Sequence, residues 1–423
     1  MLLVLSNCLS VTFAQTLTAS EQEIVLQTEK NLPQMMEILK KSVNINSGTF
    51  NVTGVKQVGD MYASELKKLG FTIEWVSLPD SMKRAGHLVA FRKGKKGKKL
   101  FLIGHLDTVF EPDMPANPFT ILNDSSITGQ GINDMKGGDL IIIAAMKALH
   151  DLNLLNDATI TIYMTGDEEN AAEPRNISRG DFIARAKEHD IALAFEGASG
   201  LNSIATARRG ASGWRLEVEG KQAHSSGVFT GAGYGSIYEA SRIINTFRET
   251  LSKEQYLSFN PGLFIGGSEI NVDAEAQRGN ASGKTNIISP KTVVIGDLRF
   301  LTEEQKNNAR TTMKQITAQN LPGTKAAIYF TDGIPGMAPT EGNKLLAEEL
   351  SRVNLALGYG KVTPGNPGSR GAGDISYIAE YLDCLDGLGA SGKGAHAPGE
   401  VLNTREYPKL MKRAAVFIYR LTQ

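Results

Sequence analysis

The sequence predicts an α/β protein whose mixed, mainly parallel sheet is flanked by helices and interrupted by an inserted α+β two-layer sandwich. Three observations carry that expectation. Strand-like and helix-like hydrophobic patterns alternate from residue 71 to residue 195, the rhythm changes at about residue 211, and the alternation resumes after Pro335. A chain of 423 residues also exceeds what one hydrophobic core usually serves, so two domains are expected. Their bounds read as 15–210 and 332–423 for a discontinuous first domain, with 211–331 inserted into it.

The elements follow in order. Ser20 and Glu23 form a capping box that opens a helix running past Pro33 to about Lys41, and a second helix over 55–69 is closed by Gly70. Strands over 71–77, 87–92 and 100–105 come next, the last two joined by the lysine-rich turn at 93–99. A helix over 135–152, a strand over 159–164, a helix over 181–188 and a strand over 191–195 continue the pattern. In the insert, strands over 214–219, 264–272, 292–300 and 326–330 alternate with helices over 236–251 and 302–319, a split βαβ arrangement of ferredoxin-like type. Helices over 343–357 and 375–382 and a last helix from Tyr407 complete the chain.

Composition excludes several classes of partner. The 45 basic and 45 acidic residues balance, which leaves no field to draw in nucleic acid or an anionic membrane. The lysine-rich turn lacks the interleaved aromatics of a nucleic-acid groove and reads as a solvated hairpin. With only Cys8 and Cys384, no disulfide framework is expected. Residues 1–14 read as a short apolar signal peptide ending in Thr12-Phe13-Ala14, without the usual basic residue after Met1, so a secreted or periplasmic protein is expected. Nothing later reaches the roughly 18 apolar residues of a membrane span.

Chemistry concentrates at the ends of the predicted strands. GHLDTV places His105 and Asp107 two residues apart, on one face, where a carboxylate can orient a metal-binding imidazole. GQGINDMKGG delivers Asp134 from a glycine-rich loop just before a helix, and its glycine spacing is not that of a dinucleotide fingerprint. GDEE puts Asp167, Glu168 and Glu169 at the end of a buried strand, where their repulsion calls for a compensating cation. FEG ends another strand at Glu196, and GAHAPGE brings His396 from near the chain end. Acids and histidines at several strand ends point to one crevice, and nitrogen with oxygen donors suits Zn2+.

These motifs, in this order, resemble the co-catalytic dizinc hydrolases that include glutamate carboxypeptidase, succinyl-diaminopimelate desuccinylase, acetylornithine deacetylase and aminoacylase. The resemblance spans nearly the whole chain past residue 14 and implies a dizinc exopeptidase-like fold with the insert as lid and dimerisation domain. It implies two zinc ions per subunit, with Co2+ or Mn2+ as substitutes. His105, Asp134 and Glu196 would hold one ion, and His396, Asp134 and Glu169 the other, with Asp134 shared and followed by a cis peptide. Asp107 would support His105, and Glu168 would be the general base that takes a proton from the attacking water and delivers it to the departing amine.

In the insert, the resemblance gives His224 in GKQAHSS an oxyanion-stabilising role in the partner subunit of a homodimer. Asn286 in KTNIIS and Arg299 in GDLRF match positions that contact substrate carboxylate or carbonyl groups, and Arg370 and Gly373 lie in a glycine-rich loop that closes the substrate pocket. Asp374 reads equally as a helix cap. His87, His150 and His189 match no motif and read as structural or surface residues. The substrate implied is a peptide losing its C-terminal amino acid; removal of an acyl group from an N-acyl amino acid is the alternative, and a non-catalytic binding protein the remote one. Glutamate preference is not implied, because Thr331-Asp332-Gly333-Ile334 lacks the basic residue of the glutamate-specific enzyme, and the loop over 170–180, with Arg175 and Arg179, is long and differently composed.

Overall fold

The computed structural model describes residues 16–155, 157–274 and 277–423. The signal peptide expected over 1–14 lies outside the described residues. Among them, no helix is long and apolar enough to cross a membrane.

Six strands form the main sheet, in the order Thr72–Val76, His87–Arg92, Ala158–Thr165, Lys96–His105, Ile191–Ala194 and Asp383–Asp386. The last four pair in parallel, and the first two add antiparallel at one edge. The central strands read as continuous apolar runs because both of their faces are covered. Phe101 and Tyr163 pack edge-on against Phe182 of the helix Gly180–Ala186, with ring centroids 5.2 and 5.1 Å away. Their neighbours Leu100, Leu102, Ile160 and Ile162 alternate to the other face and join the large core with Leu140, Ile141 and Phe417. Each such side chain, fully buried, stabilises the fold by about 1.5–3 kcal/mol.

The helix Lys136–Asp151 is buried from Lys136 through Met146, and it packs between the helices Ala19–Val43 and Tyr407–Leu421. Being apolar nearly all round, it can only be an internal helix. The first helix starts two residues earlier than expected. Its capping box is Thr18 with Glu21, the Thr18 amide donating to Glu21 at 2.8 Å and the Glu21 amide to Thr18 Oγ1 at 3.3 Å. It continues unbroken through Pro33 to Val43.

The chain folds into two units, one made of Met1–Ile204, Glu341–Gly365 and Leu382–Gln423 and a second of Ala205–Thr340 and Asn366–Tyr381. The second is therefore wider than residues 211–331 and takes up a segment that the sequence assigns to the first domain. Its sheet is fully antiparallel, in the order Ser258–Gly267, Lys291–Phe300, Gly210–Gly220, Thr324–Asp332. The helices Gly235–Leu251 and Glu303–Thr317 cover one face, where Trp214, Leu216, Val294 and Leu298 meet Ile243, Phe247 and Met313.

Two elements differ from expectation. The single strand expected over 264–272 is the end of a long strand followed by a separate hairpin, Glu269–Asp273 with Arg278–Ser282. The helix expected over 375–382 is only a 3-10 turn, Asp374–Tyr377, and the chain then enters the main sheet at Asp383. A short apolar run carries too little periodicity to fix a helix, and here residues 378–382 are turn and bend between the 3-10 turn and the strand.

A small sheet positions the site. Its strands run Gly392–Lys393, Val401–Asn403, Ser126–Thr128 and Thr120–Asn123. It joins the late chain to the segment just before the glycine-rich loop at 129–134.

Candidate metal centre

His105 is the last residue of its strand, Glu168 and Glu169 sit in the turn after Thr165, and Glu196 follows the strand Ile191–Ala194. All three strands are parallel neighbours, so their carboxyl ends open on one crevice. Asp134 enters from the glycine-rich loop, which Gly131 allows to turn. Its φ of 67° is left-handed, and a Cβ there would lie 2.4 Å from Thr108 Cγ2. The peptide from Asp134 to Met135 is cis. His396 arrives on the late loop.

These pieces converge. Asp134 Oδ1 lies 3.2 Å from His105 Nε2, and Asp134 Oδ2 lies 2.9 Å from His396 Nε2. Glu196 Oε1 is 3.8 Å from His105 Nε2, and Glu169 Oε2 is 3.2 Å from His396 Nε2. Donor atoms of His105, Glu168 and Glu196, and of His105, Asp134 and Glu169, each gather within 4.8 Å. Among the described residues, Glu169 Oε1 is buried without a hydrogen-bond partner. Two imidazoles and four carboxylates around one space, with an orphaned carboxylate oxygen among them, fit divalent cations.

Electrostatics agree with that fit. Burial opposes a charged imidazole at His105, yet Asp107, Asp134, Glu196 and Glu168 outweigh it and hold its pKa well above the usual value. Hydrogen bonds to Asp134 and Glu169 push His396 up to about 11. Burial would raise the Asp134 carboxyl, but the two imidazoles hold it far below the ordinary range. Burial pushes the Glu169 carboxyl up. A field that draws protons onto two imidazoles also draws a divalent ion, and the two compete for the same nitrogens.

Asp107 reaches two neighbours, His105 and the acidic turn. His105 Nδ1 donates to the Asp107 backbone carbonyl at 3.0 Å, while the nearer carboxylate oxygen is 3.5 Å away. The carboxylate also accepts from Thr49 Oγ1 at 2.6 Å and from the amides of Glu168 and Glu169 at 3.0 and 3.1 Å. One residue thus fixes both the ring of His105 and the turn carrying the two acids.

The third acid of that turn faces away. Asp167 forms a fully buried pair with Arg179 at 2.6 Å and accepts from the Ala172 amide at 2.9 Å. His87 Nδ1 accepts from the Gly166 amide, which puts the ring proton on Nε2 facing the Ser178 carbonyl at 3.0 Å. Arg179 and His87 therefore brace the turn.

The remaining predicted residues belong to the second unit. His224 and Asn286 are adjacent there: the Ser225 amide donates to the Asn286 carbonyl at 2.9 Å, and His224 bridges to Ile287. Ser226 N–H donates to His224 Nδ1, which leaves the ring proton on Nε2. Arg299 is paired with Asp297 on its own strand at 2.7 Å. Arg370 follows the turn Pro367–Ser369 and is half-buried. Gly373 makes room for a neighbour, since a Cβ there would lie 2.4 Å from a guanidinium nitrogen of Arg208. Arg208 donates to the carbonyls of Gly371 and Ala372 at 2.7 and 2.8 Å, and Arg209 to that of Gly368 at 3.0 Å. No motif announces this double clamp on the glycine-rich loop; its trace in the sequence is the Arg208-Arg209 pair before a strand.

Fold and centre together define an α/β protein with a candidate site for divalent cations. The chain belongs to peptidase family M20/M25/M40, whose sequence model matches residues 101–420. It is 29% identical to carboxypeptidase G2 of Pseudomonas sp. (strain RS-16) over 398 residues, 92% of this chain and 89% of that protein. It is 25% identical to a succinyl-diaminopimelate desuccinylase of Magnetococcus marinus over 378 residues, 84% of this chain and 92% of the relative. Among solved structures, aminopeptidase PepT of Bacillus cereus superposes with a TM-score of 0.72 at 18% identity, over 92% of this chain and 98% of that one. A dinuclear metal binding peptidase of the M20 family from Bacillus subtilis does so with a TM-score of 0.64 at 13% identity, over 93% and 99%.

Proposed function

We propose that this protein hydrolyses the amide bond that joins a C-terminal amino acid to the rest of a peptide, using two zinc ions. The observation that carries the reading is Asp134, whose two carboxylate oxygens face two different imidazoles. His105, Glu196 and Asp134 would hold one ion, and His396, Glu169 and Asp134 the second. Bound divalent ions supply Lewis acidity toward the scissile carbonyl and the attacking water. Glu168, held by its own amide on Asp107, takes the proton of that water and returns it to the leaving amine. The similarity to carboxypeptidase G2 supports release of a C-terminal residue.

The similarity to desuccinylases favours a second reading, an N-acyl-amino-acid deacylase with the same centre. Glutamate is not proposed as the released residue. The stretch Thr331-Asp332-Gly333-Ile334 offers no basic residue to serve that preference, and Asp332 is itself tied to Arg310 at 2.8 Å and Lys306 at 3.3 Å. Purified protein loaded with zinc and given a panel of dipeptides and N-acyl amino acids should release C-terminal residues from dipeptides faster. Preference for N-succinyl or N-acetyl substrates would replace the carboxypeptidase reading with the deacylase one. No turnover of any amide by the loaded protein would leave a binding protein on the same fold.

We also propose a homodimer through the second unit, with His224 serving the partner's centre. Phe229, Tyr238 and Ile237 support it: they are 58%, 53% and 42% exposed, and the first two rings meet edge-on at 5.3 Å. His224→Ala is expected to lower kcat by roughly 10²–10³-fold, as loss of an oxyanion donor does, without lowering metal content. A monomer in sedimentation whose His224→Ala variant keeps full activity would sink this part.

A further inference from the structure

Glu400 ends the loop that carries His396. It is completely buried, and its Oε1 accepts from the backbone amides of Asn133 and Asp134 at 2.6 and 2.8 Å. Its carbonyl accepts from Thr128 Oγ1 at 2.7 Å and from the Gly129 amide at 3.3 Å. The strand Val401–Asn403 that follows pairs with Ser126–Thr128. One residue therefore bonds to both ends of the loop that delivers Asp134.

His396 depends on its own loop for placement. It is on the surface, with a left-handed φ of 64°, and its ring meets Asp134 and Glu169. The loop is closed by two short-range bonds, Ala397 N–H to Gly394 O at 3.1 Å and Glu400 N–H to Ala397 O at 3.2 Å. An exposed imidazole on a glycine-containing loop has little packing of its own to hold it within the tolerance that a coordination site requires. The buried end of that loop is Glu400.

We propose that Glu400 is a positioning residue of the two-ion centre, which registers the His396 loop against the Asp134 loop so that one carboxylate can face both imidazoles. The inference rests on the two-ion reading above. What the two amides need is an acceptor oxygen rather than a charge, because Asp134 already brings negative charge beside them. Glutamine in its place keeps the acceptor oxygen that the amides of Asn133 and Asp134 use.

The test is a Co2+ titration of the full chain, followed by visible absorption and by the electron paramagnetic resonance signature of two coupled ions. The parent should bind two ions that couple. Glu400→Ala should bind Co2+ roughly 10–100-fold more weakly and lose the coupling, as loss of an outer partner of a metal site does. Glu400→Gln should stay close to the parent, a rescue that a demand for charge would not allow. Should the alanine variant fail to fold by circular dichroism, Glu400→Asp replaces it, since a carboxylate one methylene shorter cannot reach both amides; the same weakening is expected. Parent-like titration and coupling in the alanine or aspartate variant overturns the role of Glu400 while leaving the two-ion reading intact. A glutamine variant as defective as alanine overturns it too. A parent that binds no Co2+ removes the two-ion reading itself and this inference with it.

Discussion

Alanine in place of Glu168 is expected to lower kcat by roughly 10²–10⁴-fold, the usual worth of a positioned general acid–base, while both metal ions stay bound. The turn should survive the change, because Asp107 holds it through the backbone amides of Glu168 and Glu169 rather than through either side chain. Asp167 with Arg179 braces the same turn from the buried side. Glu168→Gln, which keeps the shape and removes the basicity, should fall equally far. Metal analysis beside steady-state kinetics checks this. Near-normal turnover would remove Glu168 as the base, and a drop to one ion per chain would make it a ligand, a role that its nearness to His105 and Glu196 makes worth measuring.

Asp134→Ala should have the other large effect, on metal content and activity together. Each oxygen of Asp134 serves a different imidazole, so removing it takes an anionic neighbour from both halves of the centre at once. Turnover should fall below detection, and dialysis should strip the ions that the parent retains. A ligand at a hundred times its Kd stabilises the folded state by about 2.7 kcal/mol, so the melting temperature of the parent should drop on chelation. In Asp134→Ala the loaded and chelated melts should coincide. A variant that keeps two tightly held ions would show that the carboxylate is not shared.

The elements of the centre were legible for a local reason. A strand that ends in His-x-Asp, a glycine-rich turn ending in Asp before an apolar helix, and a buried strand running into three acids each break the pattern of a simple core element. Such breaks are visible in sequence because burying charge without a partner is costly. Which acid does what was less legible. GDEE offers three acids in a row, and only the fold turns Asp167 inward to Arg179 while Glu168 and Glu169 face the crevice. Asp107 reads as a partner of His105, but its carboxylate also accepts from amides of a turn some sixty residues later, a contact that no local spacing announces.

The supporting residues were hidden for the same reason. Glu400 lies within a recognisable motif, yet its work is done on amides about 270 residues earlier in the chain. Arg208 and Arg209 grip carbonyls more than 150 residues away. Arg299, read as a grip for substrate, is paired with Asp297 two places before it, a pairing that alternation along a strand makes available and only the rotamer decides.

By itself, then, the order of residues decided that this chain would build a parallel-stranded core with an α+β insert, and that imidazoles and acids would stand at the ends of its strands. Hydrophobic periodicity and the cost of buried charge are local properties, and they can be read locally. The tertiary structure alone decided that Asp134 would stand between His105 and His396, that Glu400 would hold the loops on which two of them ride, and that residues 366–381 would join the second unit. Those outcomes depend on backbone groups far apart in the chain meeting at hydrogen-bonding distance, and closure of a long loop leaves no mark on the residues nearby.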